Sequence, residues 1–451
     1  MATKLSLKPT FFPWFVCGLG ALFYSYEYLL RMSPSVMAEN LMRFYHLTGA
    51  QFGYLSGSYY YYSYVAMQIL VGLLMDRYGP RRLLTVACFL CAIGAYLFAG
   101  SSYLSIAMIG RFLIGLGSAF AFVGAAKLAT IWLPPRYFAL ISGIIFCLGM
   151  LGAAFGDIVL RALVDSTGWQ TAMMAAAMAG FILALIIWSI VRDINPNYTS
   201  HSHHYLSDLP SILVGLGRAF KNRQIWLCGM VGCLLYLFLS AFAELWGPAY
   251  LEQARDIPRV YAANANSMIF IGCAIGAPLW GLFSDFLQLR RLPILMAALG
   301  STVTFCILLY IPHLPLFSIY VLLFLFGFLS SAQILVFAIA REVTSIKISG
   351  TAIGMVNMLV MVGGIIFPPT IGKILDINWD GVLVDGARIY SHHAYTVALS
   401  LLPFGILLGA LLTLCIRETH CKIHVEEDQG DSATVISLPK RQPNQNTEQF
   451  C

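Results

Sequence analysis

The chain has 451 residues, of which 59% are hydrophobic and only 11% charged; its mean hydropathy is +0.77 and its formal net charge +6. A soluble chain is nearer half apolar and a quarter charged, so this composition excludes a string of water-soluble domains. It points to a polytopic membrane protein, because roughly 20 apolar residues cross a bilayer core about 30 Å thick.

Residues 1–10 are short and weakly basic. The apolar run behind them is longer than a signal-peptide core and is not followed by a small-residue cleavage site, so it reads as a retained first span. Apolar runs then predict twelve transmembrane helices, at 11–33, 52–75, 81–100, 103–127, 138–160, 171–191, 224–249, 264–284, 292–312, 315–340, 350–372 and 394–416. The fold class is therefore all-α. The longest polar break, 192–223, reads as a linker between two six-helix halves, 11–191 and 224–418. The tail 419–451 is polar and aperiodic and is predicted to be disordered. Most Lys and Arg follow the even-numbered spans, so the positive-inside rule puts both termini in the cytoplasm. The eleven cysteines are scattered through apolar stretches, as buried thiols rather than a disulfide framework. The CxxC of Cys88 and Cys91 reads as chance.

The halves repeat. "GLLMDRYGPRR" (72–82) follows the second span and "GLFSDFLQLRR" (281–291) the eighth. Such internal repeats are how many secondary transporters are built. The first stretch resembles the signature loop of the major facilitator superfamily, G-x-x-x-D-R-x-G-[RP]-[RK]-[RK], through Gly72, Asp76, Arg77, Gly79, Pro80, Arg81 and Arg82. "RFLIGLGSA" (111–119) resembles that family's fourth-span motif, with Ile114 where many members carry Gln. The resemblance covers about 11–418. It implies a latch in which Asp76, Arg77, Arg81 and Arg82 favour the state closed to the cytoplasm, with Gly72 and Gly79 allowing close approach and a tight turn. Asp285, Arg290 and Arg291 would form a degenerate second copy. The bland alternative for the arginines is that they only set topology. Gly152 and Gly156 suit close packing, and the Pro pairs 134–135 and 368–369 read as helix ends or kinks.

Charges inside membrane helices are rare and are usually functional. Tyr24, Glu27, Tyr28 and Arg31 share one face of the first helix, and the family resemblance implies that this helix lines a central cavity. Counting 1.5 Å per residue puts Glu27 and Arg111 at similar depth, so they are expected to approach each other directly or through substrate. Glu244 shares a stripe with Tyr236 and Ser240. Tyr61, Tyr64 and Gln68 form another, and Gln333 and Asn357 add polar groups from the second half. The alternatives are an i,i+4 neutralisation of Glu27 by Arg31, snorkelling of Arg31, Glu244 in the headgroup zone, an Asp157–Arg161 pair, and plain interhelical bonds for Gln333 and Asn357.

"YSYEYLLR" (24–31) and "LWGPAYL" (245–251) resemble motifs of the organophosphate/phosphate antiporter branch, which includes sugar-phosphate sensors. Arg31 matches that branch's phosphate-binding Arg, but Ser240 stands where its second Arg is expected. The first spans are also similar to the lysosomal dipeptide carrier branch. The expected function is a secondary active transporter of a small polar solute, amino-acid-like, dipeptide-like or an organic anion, coupled to protons. The alternatives are an organophosphate antiporter or a transporter-like sensor. No HExxH and no phosphate-binding G-x-x-x-x-G-K-[ST] occurs, so neither an enzyme nor an ATP-driven pump is expected. The expected partners are a small-molecule substrate, a proton and membrane lipid, with no nucleic acid and no cofactor. The chain is expected to be a monomer in a bacterial inner membrane.

Overall fold

The computed structural model describes residues 12–133, 138–193, 216–344, 349–384 and 386–422. The major helices are α1 (Phe12–Val36), α2 (the continuous helical run 49–78), α3 (Pro80–Gly100), α4 (Leu104–Trp132), α5 (Ile141–Thr167), α6 (Trp169–Ile190), α7 (Arg223–Gln253), α8 (Arg259–Leu287), α9 (Arg291–Tyr310), α10 (Leu316–Glu342), α11 (Gly350–Ile377) and α12 (His392–Thr413). A short helix, Ala38–Phe44, lies between the first two. Ten of these helices are long and apolar enough to cross a membrane. The other two, α1 and α2, hold the positions of the first two predicted spans but carry Glu27, Arg31 and Gln68 among their tyrosines.

Local sequence sets the boundaries. Thr48 and Gln51 form a reciprocal capping box that starts α2. Gly79, at φ 78°, ends it, and Pro80 opens α3 at once. Gly79 is constrained twice, because a Cβ there would also lie 2.7 Å from Asp193, whose carboxylate accepts the Arg81 N–H. Two elements depart from the sequence reading. A two-stranded hairpin, Leu383–Val384 with Ala387–Arg388, follows α11. The segment placed in the disordered tail begins folded, with Thr419 Oγ1 donating to Glu342 at 2.5 Å; 423–451 lie outside the described residues, as does most of the linker.

Within the first half α3 packs on α4 and α6, and within the second α8 packs on α10. Between halves α2 packs on α11, α5 on α8, and α1 on α7. Adding six to each helix number exchanges the first two pairings and keeps the third, as a two-fold repeat demands.

The Pro368–Pro369 pair does not end α11, which runs on to Ile377. Pro369 has no N–H for the carbonyl of Ile365, and Ser58 of α2 donates to that carbonyl instead, at 2.7 Å. The seam is close here because α2 presents glycines: a Cβ on Gly53 would lie 2.6 Å from Pro368 and Pro369, and one on Gly57 2.9 Å from Pro368. Further along, Asp376 of α11 accepts the N–H groups of Gly49 and Ala50, both at 2.8 Å, and is held by Arg388 and Tyr390. Glu39 pairs with Arg259, and Arg161 with Glu252. This end of the molecule, the Gly49 end, is therefore tied shut across the halves. Toward the Gly79 end, the described cross-half polar bonds stop at Asn357 to Gln68, 2.7 Å, and Cys147 to Ala274, 3.5 Å. Cβ atoms on Gly72 and Gly281 would meet nothing within 4 Å. Among the described residues, one end is sealed and the other parted.

Candidate functional site

At the centre of the seam, Arg31 of α1 faces Glu244 of α7, with Nε 3.2 Å from Oε1. Tyr61 of α2 bridges the pair: Arg31 donates to its hydroxyl at 2.8 Å, and the hydroxyl donates to Glu244 at 2.5 Å. Tyr236 adds a longer bond to Glu244, 3.3 Å. Both charges are buried, at 3% and 5% exposure, so the pair is desolvated and each charge depends on the other to offset its burial. Around Arg31 stand the rings of Tyr28, Tyr60, Tyr61 and Tyr64, with centroids 5.1–5.6 Å away, within cation–π range. The aromatic cage holds the guanidinium in place, and of its four rings Tyr61 also accepts one of its hydrogen bonds.

Backbone irregularity aims these groups. Glu244 and Ser240 sit in a π-helical run, Phe238–Trp246, and Ser56 and Gly57 in another, Tyr54–Ser58. Such turns recur at functional sites. Gln333 lies in a 3₁₀ turn, Ser331–Ile334, that interrupts α10. A cavity with room for about one water opens between Arg31, Ser56, Tyr61, Arg111, Ser240 and Glu244.

Glu27 and Arg111 are both fully buried but do not bind each other. Arg111 is spent on two backbone carbonyls, Leu30 at 2.9 Å and Ser56 at 2.5 Å. Glu27 accepts from Tyr60 at 3.1 Å and keeps Oε1 without a partner. Arg31 does not close on Glu27 one turn away but pairs across the seam with Glu244, which removes that carboxylate from the headgroup zone. Neither does Asp157 pair with Arg161: its partner is Asn266, at 2.5 Å, while Arg161 takes Asp165 and Glu252.

The remaining candidates divide. Tyr24 packs on Tyr28 and Phe122, second-half Asn357 bonds Gln68, and Gln333 is buried with Oε1 unpartnered, outside the cavity lining. Tyr60 is a site residue that the Tyr61, Tyr64 and Gln68 stripe does not include. It stacks on Tyr64, lies under both arginines and holds Glu27. Its i,i+4 relation to Tyr64 was the available signal.

The signature-loop residues bind within their own halves. Arg81 donates to the Trp188 carbonyl and covers its ring, and Arg77 covers Tyr78. Arg290 pairs with Glu342 and Asp285. The side chain of Asp76 lies outside the described residues. Glu418 accepts the N–H groups of Arg290, Arg291, Thr419 and His420. Partial burial alone would raise its carboxyl, but these bonds outweigh it and hold the group below the usual carboxylate range.

The family model described as Major Facilitator Superfamily matches residues 17–368 and 248–420. The chain is 26% identical over 385 residues to the Probable sulfoacetate transporter SauU of Cupriavidus necator, covering 80% of this chain and 87% of that protein. It is 25% identical over 426 residues to the membrane sensor protein UhpC of Salmonella typhimurium, covering 88% and 91%. Among solved structures, a bacterial homologue of the human lysosomal transporter Spinster, inward-facing and unoccupied, matches with TM-score 0.71 at 14% identity, covering 91% of this chain and 96% of that one.

Proposed function

The chain belongs to the major facilitator superfamily, a multi-pass protein of the bacterial inner membrane, and on that premise we propose that it carries a small organic anion by alternating access, together with a proton. The observation that carries this reading is the Arg31–Glu244 contact across the halves. Glu244 here occupies Arg31. An anion entering from the parted end takes that place, since guanidinium and carboxylate or sulfonate form charge-assisted bonds. Losing the Glu244 contact loosens the seam, and Tyr61, bonded to both partners, reports the exchange. The relative named for sulfoacetate, itself a small organic anion, supports the class. A single exchangeable arginine, with Ser240 in the same cavity lining, suits a monoanion head better than a phosphate dianion clamped between two arginines. The unpartnered oxygen of buried Glu27 is the coupling-proton site in this reading. Amino-acid-like and dipeptide-like solutes present the same carboxylate to Arg31. The Gly79 end, rich in Arg, is cytoplasmic, and the sealed end is external.

Proteoliposomes with an imposed pH gradient test the reading. Accumulation of small sulfonates or carboxylates should follow the gradient, fall severalfold in Arg31→Lys, and lose concentrative power in Glu27→Gln. Accumulation indifferent to the gradient removes the proton, and wild-type uptake by Arg31→Lys removes the anchor. The relative named a membrane sensor supports a second reading, a receptor on the same fold. Absence of flux with retained ligand binding would select it.

A further inference from the structure

Asp157 lies in a π-helical turn of α5, Gly156–Leu160, and is fully buried. Its Oδ2 accepts from Asn266 Nδ2 of α8 at 2.5 Å, while Oδ1 has no partner. The same Nδ2 also donates to the Ala243 carbonyl at 2.9 Å. One neutral amide is thus the whole described hydrogen-bond shell of this carboxyl. The charged groups on the elements packed against it are committed elsewhere. Arg161, one turn along α5, holds the Val36 carbonyl, Asp165 and Glu252. Arg31 of α1 holds Glu244, and Arg259 of α8 holds Glu252 and Glu39. Where α1 meets Gly156 it presents Leu29 and Met32. A carboxylate buried against apolar surface with one neutral donor is costly, and taking up a proton removes the charge.

From this placement we infer that Asp157 is a proton-binding site built into the α5–α8 seam, separate from Glu27, and that closing the Gly49 end requires it to be protonated. When the seam parts, water reaches Oδ1; the Oδ1–H bond breaks, the proton passes to water and the carboxylate is hydrated. Proton binding and closure are then linked, because the proton favours the closed form only through the different surroundings of the carboxyl in the two forms. The inference stands without the Glu27 reading, since it concerns the conformational equilibrium of the empty protein.

The test is an inter-half distance at the Gly49 end, read by pulsed electron resonance between spin labels at exposed Phe44 and Val384 on a cysteine-depleted background. In the wild type the closed distance should dominate at acid pH and give way as pH rises. Asp157→Asn should stay closed across the range. Infrared spectra should show a protonated-carboxyl stretch in the closed wild type that Asp157→Asn lacks. Asn266→Ala, which removes the donor to the ionised form, should move the opening midpoint to higher pH, and it carries the test if Asp157→Asn does not insert. A wild-type pH response in Asp157→Asn, an unmoved midpoint in Asn266→Ala, or a distance set by sodium instead of pH would overturn the inference.

Discussion

Ser58 donates across the seam to the Ile365 carbonyl at 2.7 Å, the carbonyl that Pro369 strips of its helical partner. The closed end thus uses a defect of one half as the bonding site of the other. Ser58→Ala should cost about 1 kcal/mol of closure while leaving insertion intact. In a Pro369→Ala background the helix supplies its own N–H, so the same change should cost less. A double-mutant cycle on the inter-half distance checks this, and additive effects would show that the serine acts elsewhere.

The Arg31–Glu244 pair predicts a non-additive stability pattern. Removing one partner leaves a buried charge alone, a loss of about 3–5 kcal/mol. Arg31→Met and Glu244→Gln should each lower the thermal midpoint of the purified protein, and the double variant should recover much of the loss. Arg31→Met should also abolish the benefit of adding an organic anion during the melt, whereas Glu244→Gln, which leaves Arg31 uncommitted, should retain or increase it.

The glycines at the two ends predict opposite conformational effects. Leucine at Gly53 places side-chain atoms where Pro368 and Pro369 already stand, so Gly53→Leu should hold the Gly49 end open and reduce transport by at least tenfold. A Cβ at Gly72 meets nothing within 4 Å, so Gly72→Leu should leave this form intact and oppose only the form in which the other end closes. Cysteine accessibility at each end separates the two effects; identical accessibility changes would refute the assignment.

Glu418 gives a pH signature outside the membrane helices. Its folded carboxyl sits below the ordinary range, so the stability it contributes is present above the ordinary glutamate value and is lost as pH falls through the folded value. Glu418→Gln should be less stable than wild type at neutral pH, and the difference should vanish in acid. Thermal unfolding at a series of pH values checks this; a gap that widens in acid would contradict the sign.

Much of this was legible in the sequence because hydropathy and repeats are local. The helices fall where the apolar runs lie, and the repeated G-x-x-x-D loops, six helices apart, match the way the α2–α11 and α5–α8 pairings exchange. The site was legible as a set of residues, not as a set of partners. Depth along a helix put Glu27 level with Arg111, but depth says nothing about azimuth. Arg111 turned to the carbonyls of Leu30 and Ser56, and Arg31 reached across to Glu244. The π-helical turn at 156–160 shifts azimuth without leaving a periodicity to read, which is why the i,i+4 spacing of Asp157 and Arg161 does not bring them together, whereas Tyr60 lies in regular helix and is readable from its i,i+4 relation to Tyr64.

The π-helical run at 238–246 carries a further consequence for how this site can change. Each residue of an α-helix turns the chain by about 100°, and a π-turn holds one residue more than the α-turn it replaces. Deleting a single residue between Phe238 and Ala243 would restore plain α-helix and swing Glu244 away from Arg31, while the length of α7 and its apolar surface would hardly alter. The charge that reaches across to the first half is therefore a matter of register: one codon separates this seam from one in which Arg31 has no carboxylate to face.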